Sequence, residues 1–245
     1  MHRFFAPALD PGDESVALPR DEAEHLTRVL RLGVGDMVAI FDGRGREFLA
    51  KVASTERRDV RVQLVSRIDP AAEAAVAITL AQAVLKSDKM DDIVRDAVML
   101  GVAAVQPIVT SRAETTVATL MKSARVDRWR RVALAAVKQS RRAILPEIRM
   151  PLTLESYVAE PPPALRLMLV EPSAEGGETL AAVQKERAPH DAALLVGPEG
   201  GWTKAERDLA AAAGVRLVTL GHRTLRADAV PVAAICVLQF LWGDL

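Results

Sequence analysis

The sequence predicts an α/β protein in which a small β-rich domain precedes a larger domain built on a parallel sheet. Residues 1 to about 70 contain strand-like segments in which apolar and polar residues alternate. From Val76 onward, short apolar strands alternate with amphipathic helices instead. Asp69 to Ala75 lies between these regions, and its proline and alanine-rich run are typical of a linker. We therefore expect two domains, at residues 1–70 and 71–245.

The first domain is expected to be a small β-barrel with one helix. Asp42-Gly43-Arg44-Gly45 is a hairpin signal between two strand-like segments. The spacing of apolar residues predicts a helix from Asp21 to Leu32, and Gly33 is expected to end it. Such a barrel is either a binding module or a purely structural domain. The predicted strands are Asp36 to Phe41, Arg46 to Val52 and Val60 to Ile68.

The second domain is expected to alternate strands with helices, which predicts a largely parallel sheet covered on both faces. The predicted strands are Val76 to Ala81, Ala103 to Val109, Leu165 to Val170, Ala192 to Val196 and Val215 to Leu220. The predicted helices are Met90 to Leu100, Val126 to Ser140, Thr203 to Ala213 and Ala227 to Trp242.

Composition and charge indicate which compartment and which kind of partner to expect. Half of the 245 residues are hydrophobic, and 32 basic residues balance 32 acidic ones. The single cysteine, Cys236, excludes an intrachain disulfide and suits a reducing compartment. Neither a signal peptide nor an apolar run of the roughly 18 residues that suggest a membrane span is found in the sequence. We expect a cytoplasmic protein whose nucleic-acid surface, if it has one, is a local concentration of charge.

The first candidate ligand loop is Leu194-Leu-Val-Gly-Pro-Glu-Gly-Gly-Trp-Thr203. A buried strand runs into a glycine-rich turn, and Thr203 with Glu206 forms a capping box that starts the next helix. Glycines allow a close backbone approach to a ligand, and ligands bind at the carboxyl ends of strands in open α/β sheets. The loop matches neither the dinucleotide fingerprint nor the P-loop pattern. A plain tight turn is the alternative.

The second candidate loop is Thr219-Leu-Gly-His-Arg-Thr-Leu-Arg-Ala-Asp228, which also follows a strand. Gly221 opens a turn, and Leu225 is an apolar residue within a polar loop. Such a loop can offer backbone groups to the edge of an adenine and an apolar side chain to its face. Arg226 and Asp228 are expected at the head of the last helix, where Asp228 is alternatively a simple cap.

A local excess of positive charge lies between Lys122 and Arg149, where nine basic residues face two acidic ones. Clustered lysine and arginine are needed to contact phosphates, although a solvated helix face is the usual alternative. Lys86 and Lys89, which follow the first strand of the second domain, either contact RNA or decorate a helix start. The four histidines are scattered without metal-ligand spacing, so no metal site is expected.

Taken in order, several motifs resemble the RsmE family of bacterial methyltransferases, which make N3-methyluridine in 16S ribosomal RNA. The resemblance covers nearly the whole chain. The amino-terminal motifs are Arg3-Phe4-Phe5, His25 to Leu32, Gly35-Asp36 and Phe41-Asp42-Gly43. The middle motifs are Leu80-Ala-Gln82, Lys86 to Asp91, Leu100-Gly101-Val102, Arg128-Trp129-Arg130 and Gln139-Ser140. The carboxyl-terminal motifs are Gly197 to Gly201, Leu220-Gly221 and Leu225-Arg226.

The resemblance implies a PUA-like barrel followed by a SPOUT methyltransferase domain with a carboxyl-terminal trefoil knot, an exception to unknotted chains. It also implies S-adenosyl-L-methionine as methyl donor, S-adenosyl-L-homocysteine as product, a homodimer, and ribosomal RNA as partner. The donor would lie bent in the knot, held by three loops. The residues implied in donor binding are Leu169, Val170, Glu171, Val196, Gly197, Pro198, Gly200, Gly201, Leu220, Gly221, Arg223 and Leu225.

The same resemblance, together with the basic segment, gives the candidate RNA and catalytic residues. Arg226 is expected to stabilise the uracil anion, while Asp228 or Glu199 accepts the N3 proton or orients Arg226. The target base must also leave its stack. The residues predicted to bind RNA are Arg3, Arg28, Arg31, Lys86, Lys89, Arg128, Arg131, Lys138, Gln139 and Arg142.

Three positions depart from the family pattern. Met99 stands where an acidic residue is common, Arg141 where glycine is common, and Asp228-Ala229-Val230 where Glu-Thr-Ala is usual. The first two suggest altered surface or RNA contacts, and the third touches the expected active site. Two other functions therefore stay open. One is a SPOUT RNA methyltransferase with a different target, such as a ribose 2′-O or another base, and the other is a non-catalytic RNA-binding assembly factor.

Overall fold

The computed structural model describes residues 1–56, 59–86, 88–185 and 187–245. The chain forms two compact units. One comprises Met1–Glu73 together with Val137–Leu145, and the other comprises Ala74–Ala136 together with Pro146–Leu245. The predicted boundary at residue 70 is close to the observed one, but the sequence did not predict that residues 137–145 belong to the first unit. No helix within the described ranges is long and apolar enough to cross a membrane.

The first unit is a five-stranded mixed sheet with a short helix, ordered β1-β3-β4-β5-β2. β1 pairs with β3 in parallel and the other pairs are antiparallel. Phe4, Leu26 and Ile40 are fully buried in its apolar core. The elements are β1 (Arg3–Phe5), β2 (Ser15–Ala17), α1 (Arg20–Glu24), β3 (Met37–Phe41), β4 (Glu47–Glu56) and β5 (Asp59–Ile68).

The helix predicted from Asp21 to Leu32 is shorter and less regular than expected. After α1 the chain makes a π-helical turn, His25–Val29, and Arg31 rather than Gly33 ends the helical segment. Arg31 has φ 56°, and the amide of Leu32 donates to the carbonyl of Leu26 at 3.0 Å. A residue in the left-handed region closes the final turn in this way, a position that usually selects glycine. The prediction that Gly33 terminates the helix is therefore wrong.

Residues 137–145 complete the first unit through the side chain of Arg3. This guanidinium forms an ion pair with Glu47 at 2.8 Å and donates to the carbonyls of Val137 and Arg142, each at 2.8 Å. The amide of Leu145 also donates to the carbonyl of Gly43. The Arg3 side chain is 9% exposed, so its charge is stabilised by internal partners.

The second unit contains an eight-stranded sheet in which every described pairing is parallel, as predicted from the alternation of strands and helices. Its strands are β6 (Ala77–Ala83), β7 (Ala104–Val109), β8 (Glu147–Ile148), β9 (Leu152–Thr153), β10 (Leu165–Leu169), β11 (Glu178–Thr179), β12 (Asp191–Val196) and β13 (Arg216–Thr219). Its helices are α2 (Lys89–Met99), α3 (Val117–Lys122), α4 (Arg125–Ser140, whose last residues belong to the first unit), α5 (Leu154–Ala159), α6 (Lys204–Ala212) and α7 (Val230–Trp242), with a 3-10 helix at Leu180–Lys185.

The order of strands decides where a ligand can bind. It is β11-β13-β10-β12-β6-β7-β8, with β9 also paired to β7. Because the strands are parallel, their carboxyl ends all lie at one edge. The loops after β13, β10 and β12 are therefore neighbours, and those after β6 and β7 come next to them. This edge is where ligands bind in open α/β sheets.

Candidate active site

A cavity of 340 Å³ lies at the carboxyl ends of β13, β10 and β12. Three loops supply most of its wall, namely residues 169–174, 196–202 and 220–230. These loops follow three strands that are adjacent and parallel in the sheet, so the fold itself brings them together. The cavity therefore lies where open parallel sheets bind ligands, between the loops at the carboxyl ends of adjacent strands.

Eleven of the twelve residues predicted to bind the donor line this cavity, and so does Glu199. The exception is Gly221, which has φ 74° and shapes the turn after β13 without contributing to the wall. The first two loops hold Leu169 to Glu171 and Val196 to Gly201, and the third holds Leu220, Arg223 and Leu225. Sequence reasoning missed several other lining residues, which include Arg112, Pro172, Trp202, Arg207 and Thr224.

Trp202 joins two of the loops. Its buried indole Nε1 donates to the carbonyl of Leu169 at 3.0 Å, so the loop after β12 is held to the loop after β10. Gly197 packs against this ring. A Cβ at Gly197 would lie 3.0 Å from the indole Nε1 and 3.1 Å from Cε2. The glycine is therefore required by close packing, a reason that the strand-turn-helix pattern alone does not reveal.

The glycine-rich turn is shaped by its backbone and by one arginine. Gly201 has φ 66°, in the left-handed region, and its amide donates to the carbonyl of Pro198 at 2.9 Å. Arg112, from the loop after β7, donates to the carbonyl of Gly200, and a Cβ at Gly200 would lie 3.2 Å from Arg112 Cδ. The turn is therefore held from the loop after β7, two strands away in the sheet, as well as by its own geometry.

Four charged side chains meet beside the cavity. The ammonium of Lys89 lies 3.6 Å from a carboxylate oxygen of Glu199 and 3.7 Å from one of Asp228. Arg226 lies 3.5 Å from the other oxygen of Asp228. The backbone amide of Lys86 donates to Glu199 at 3.3 Å. The three catalytic candidates thus lie in one network, which Lys89 links.

The network changes the interpretation of Asp228. The last helix begins at Val230 rather than Ala227, and its N-cap is Ala229, which has no capping side chain. Asp228 precedes the cap and forms ion pairs with Lys89 and Arg226 instead. The simple-cap alternative for Asp228 is therefore wrong, although its catalytic role remains a prediction.

Glu206 anchors the start of α6 to the loop after β7. Its carboxylate accepts hydrogen bonds from the amides of Ser111 and Thr203 at 2.9 and 2.8 Å, and from both hydroxyls. The expected capping box with Thr203 is present. Burial alone raises the pKa of Glu206, but the hydrogen bonds from Ser111 and Thr203 outweigh burial and leave the pKa below 4.5.

Replacing Glu206 with alanine is expected to destabilise the protein by about 2–3 kcal/mol, because the amides of Ser111 and Thr203 lose their acceptor. This corresponds to a fall in melting temperature of roughly 5–10 °C for a chain of this size, measurable by calorimetry. Since the folded-state pKa is depressed, the ionised carboxylate contributes stability above pH 4.5 that is lost as the pH falls through the lowered pKa. The advantage of the native protein over Glu206→Gln should therefore shrink in acid. An advantage that grows in acid contradicts this account.

The residues predicted to bind RNA divide into exposed and internal groups. Arg28, Arg31, Lys86, Arg128, Arg131 and Gln139 are exposed, and Lys89 is half-buried in the charged network. Lys138 is paired with buried Glu22, and Arg142 is buried and paired with Glu73. Together with Arg3, these two side chains are engaged inside the first unit. For these three residues we correct the RNA-binding prediction, because their charges are already held by internal partners.

Other basic residues of the Lys122–Arg149 segment are also partly neutralised. Arg128 forms ion pairs with Asp88 at 3.3 Å and Asp91 at 2.5 Å, and Arg130 pairs with Asp127. Arg125 lies over the ring of Trp129, 5.5 Å from its centroid. In the part of the chain that the structure describes, no group of three metal-ligating side chains is found.

Comparisons with known proteins agree with this architecture. A model of the RNA methyltransferase domain matches residues 72–239, and a model of the RNA methyltransferase PUA domain matches residues 18–65. A ribosomal RNA small subunit methyltransferase E from Synechocystis is 33% identical over 94% of this chain and 74% of its own length. The protein of the same name from Rickettsia conorii is 27% identical over 98% of this chain and 96% of its own length.

Solved structures are similar over the whole chain. A ribosomal RNA small subunit methyltransferase E from Neisseria gonorrhoeae, bound to S-adenosyl methionine, has a TM-score of 0.89 at 30% identity, covering 100% of this chain and 99% of its own. A putative methyltransferase from Legionella pneumophila, in complex with the same cofactor, has a TM-score of 0.87 at 28% identity, covering 97% and 96%. The expected fold class, a PUA-like domain followed by a SPOUT methyltransferase domain, is confirmed. The chain belongs to the ribosomal RNA small subunit methyltransferase E family.

Proposed function

We propose that this protein transfers a methyl group from S-adenosyl-L-methionine to N3 of a uridine in 16S ribosomal RNA of the small subunit. The observation that carries the proposal is the cavity at the ends of β13, β10 and β12, beside which Lys89, Glu199 and Asp228 meet. Family membership supports the donor and the class of RNA. The charged network supports a reaction in which a proton is removed.

The cavity suits the proposed donor by size and by chemistry. Its volume of 340 Å³ lies within the range of about 300–1,000 Å³ of small-molecule sites. Leu169, Val196 and Leu225 offer apolar contacts for a purine face, while Arg112 and Glu171 offer charges for an amino acid group. The absence of a side chain at residue 197 lets the Trp202 ring pack against this part of the cavity wall.

Bound S-adenosyl-L-methionine supplies an electrophilic methyl group on its sulfonium sulfur. The protein must then deprotonate uracil N3, so that the electron pair of the N3–H bond becomes free to form the new bond to carbon as the carbon–sulfur bond of the donor breaks and leaves its electron pair on sulfur. Glu199 is placed to take this proton, since it lines the donor cavity and its carboxylate is held by the Lys86 amide and by Lys89. Arg226 and Lys89 favour the anion on the base electrostatically. Holding the base in line with the methyl group supplies much of the remaining acceleration.

Arg131 is the clearest test of the RNA surface. It is exposed on α4, and no ion pair to it is found among the described residues. Arg131→Ala is expected to weaken RNA binding and to reduce the slope of log affinity against log salt by about 1. The measurement is a salt titration with 16S ribosomal RNA. Arg95→Ala is the matched control, because exposed Arg95 is paired with Asp92 and Asp96; equal effects of both variants contradict the assignment.

The proposed reaction is tested with small subunits from cells that lack the gene. The protein and donor are added to assembled subunits or to free 16S RNA, and mass spectrometry locates the methyl group. N3-methyluridine supports the proposal. A ribose 2′-O-methyl group or another methylated base would contradict the proposal and show a SPOUT RNA methyltransferase with a different target. Calorimetry that detects no donor binding would favour an RNA-binding assembly factor instead.

The setting of the reaction is part of the proposal. We propose a cytoplasmic homodimer in which the loops around the donor cavity contribute to a trefoil knot and to the dimer interface. Family membership supports these features. A dimer extends the surface available to a folded ribosomal RNA. Light scattering of the purified protein tests the oligomeric state.

A further inference from the structure

A second cavity of 260 Å³ lies beside the donor cavity. It forms at the carboxyl ends of β12, β6 and β7, which are consecutive strands of the parallel sheet. Its wall consists of residues 84–86, 112–115 and 198–199 together with Arg125. The donor cavity uses the ends of β13, β10 and β12, so the two spaces share the loop after β12.

The shared wall contains Arg112, Pro198 and Glu199, which line both cavities. The two cavities therefore adjoin along these three residues. The backbone amide of Lys86 donates to the Glu199 carboxylate at 3.3 Å and fixes it in this wall. A carboxylate at this position can take a proton from a group in the second cavity, next to the space for the donor.

Five charged side chains line the second cavity, namely Lys86, Arg112, Glu114, Arg125 and Glu199. Glu199 is a hydrogen-bond acceptor, and the cations Lys86 and Arg112 line the same cavity. The ion pair with Glu114, at 2.5 Å, raises the pKa of Lys86 and keeps its ammonium protonated. Arg125 donates to the carbonyl of Leu85 at 3.4 Å and supports the loop that carries Lys86. The uracil edge that carries O2, N3–H and O4 requires one hydrogen-bond acceptor and two donors, which Glu199, Lys86 and Arg112 can supply.

We propose that this second cavity receives the unstacked target uracil, with Glu199 facing its N3–H and with Lys86 and Arg112 donating to its carbonyl oxygens. The inference rests on the proposed function and adds the location and selectivity of the base site. The N3 proton passes to Glu199, and the electron pair that remains on N3 forms the bond to the methyl carbon from the neighbouring cavity. The bond between that carbon and the sulfonium sulfur breaks, and its electron pair stays on sulfur in the product S-adenosyl-L-homocysteine. Cytosine is rejected because its N3 carries no proton and its exocyclic amine would face a cation.

Filling the cavity tests this assignment. Ala113 lines the second cavity but not the donor cavity. Ala113→Phe is expected to lower kcat/KM on small subunits at least tenfold while the dissociation constant of S-adenosyl-L-methionine stays within twofold. The matched control is Ala103→Phe, since Ala103 is an exposed alanine just before the amino end of β7, at the opposite edge of the sheet. Thr115→Phe obstructs the same cavity and replaces Ala113→Phe if that variant does not fold.

A binding measurement separates this inference from the proposed function. Saturation-transfer NMR with uridine 5′-monophosphate should show contact in the native protein and in Ala103→Phe, loss of contact in Ala113→Phe, and weaker contact with cytidine 5′-monophosphate. Equal contact in both phenylalanine variants, or unchanged kcat/KM in Ala113→Phe, overturns the base site. Native protein that methylates no RNA overturns the proposed function, whereas the nucleotide contact still tests the cavity.

Discussion

Glu199→Gln is expected to reduce the rate of methyl transfer by about 10²–10⁴-fold, the range that a positioned general base contributes. Glutamine preserves the shape of the side chain and its hydrogen bond from the Lys86 amide, but it cannot take the proton from N3. Donor binding should change little, because most of the donor cavity is formed by other residues. Single-turnover methylation of small subunits, with donor affinity measured by calorimetry, separates the two quantities.

Asp228→Asn provides the comparison for Glu199. Asp228 has a similar exposure, with 31% of each side chain accessible, and it contacts the same ammonium of Lys89. Unlike Glu199, it lines neither cavity. We expect a smaller loss for Asp228→Asn than for Glu199→Gln. A larger loss for Asp228→Asn would make Asp228 the proton acceptor and give Glu199 a positioning role.

Gly197→Val is expected to weaken the binding of S-adenosyl-L-methionine about 100-fold, since overpacking a well-packed site costs up to about 3 kcal/mol. The new Cβ would lie 3.0 Å from the Trp202 indole. This ring is buried and tied to the Leu169 carbonyl, so it cannot turn aside without breaking the link between two donor loops. Isothermal calorimetry of the folded variant measures the loss.

Gly33→Val controls for the general cost of a β-branched residue in place of glycine. Gly33 does not have a positive φ, and nothing lies within 4 Å of the position that its Cβ would occupy. Its replacement should leave donor affinity unchanged. Native affinity in Gly197→Val would show that Trp202 moves freely and that the two loops are not held by the indole.

The donor loops were predictable because their signal is local. A buried strand followed by glycines marks the turn at residues 197–201, and the resemblance adds the loops after β10 and β13. Arg112 and Trp202 were missed for different reasons. Arg112 reaches Gly200 from the loop after β7, far away in sequence, and Trp202 looks like an ordinary core aromatic until its indole is seen donating to Leu169.

The basic segment shows how counting charges along a sequence misleads. Nine basic and two acidic residues between Lys122 and Arg149 predict an open cationic surface. Glu22 and Glu73 are more than sixty residues away, yet they pair with Lys138 and Arg142. Long-range ion pairs carry no local sequence signal, so these side chains could be recognised as structural only from the fold.

Arg141 gives a physical meaning to one departure from the family pattern. Its φ is 62°, in the left-handed region that glycine adopts without strain, and glycine is common at this position in the family. The sequence suggested altered RNA contacts at this position. That suggestion stays a prediction, and the structure adds that this chain places a bulky residue where the backbone favours glycine.

Because residues 137–145 belong to the first unit, this unit cannot be completed early in translation. A chain made from its amino terminus exposes β1 to β5 long before these residues emerge from the ribosome. Until then Arg3 and Glu22 lack partners that the finished unit provides, namely the Val137 and Arg142 carbonyls for Arg3 and the Lys138 ammonium for Glu22. The amino-terminal unit therefore reaches its final stability only after translation has passed residue 145, well into the catalytic part of the chain.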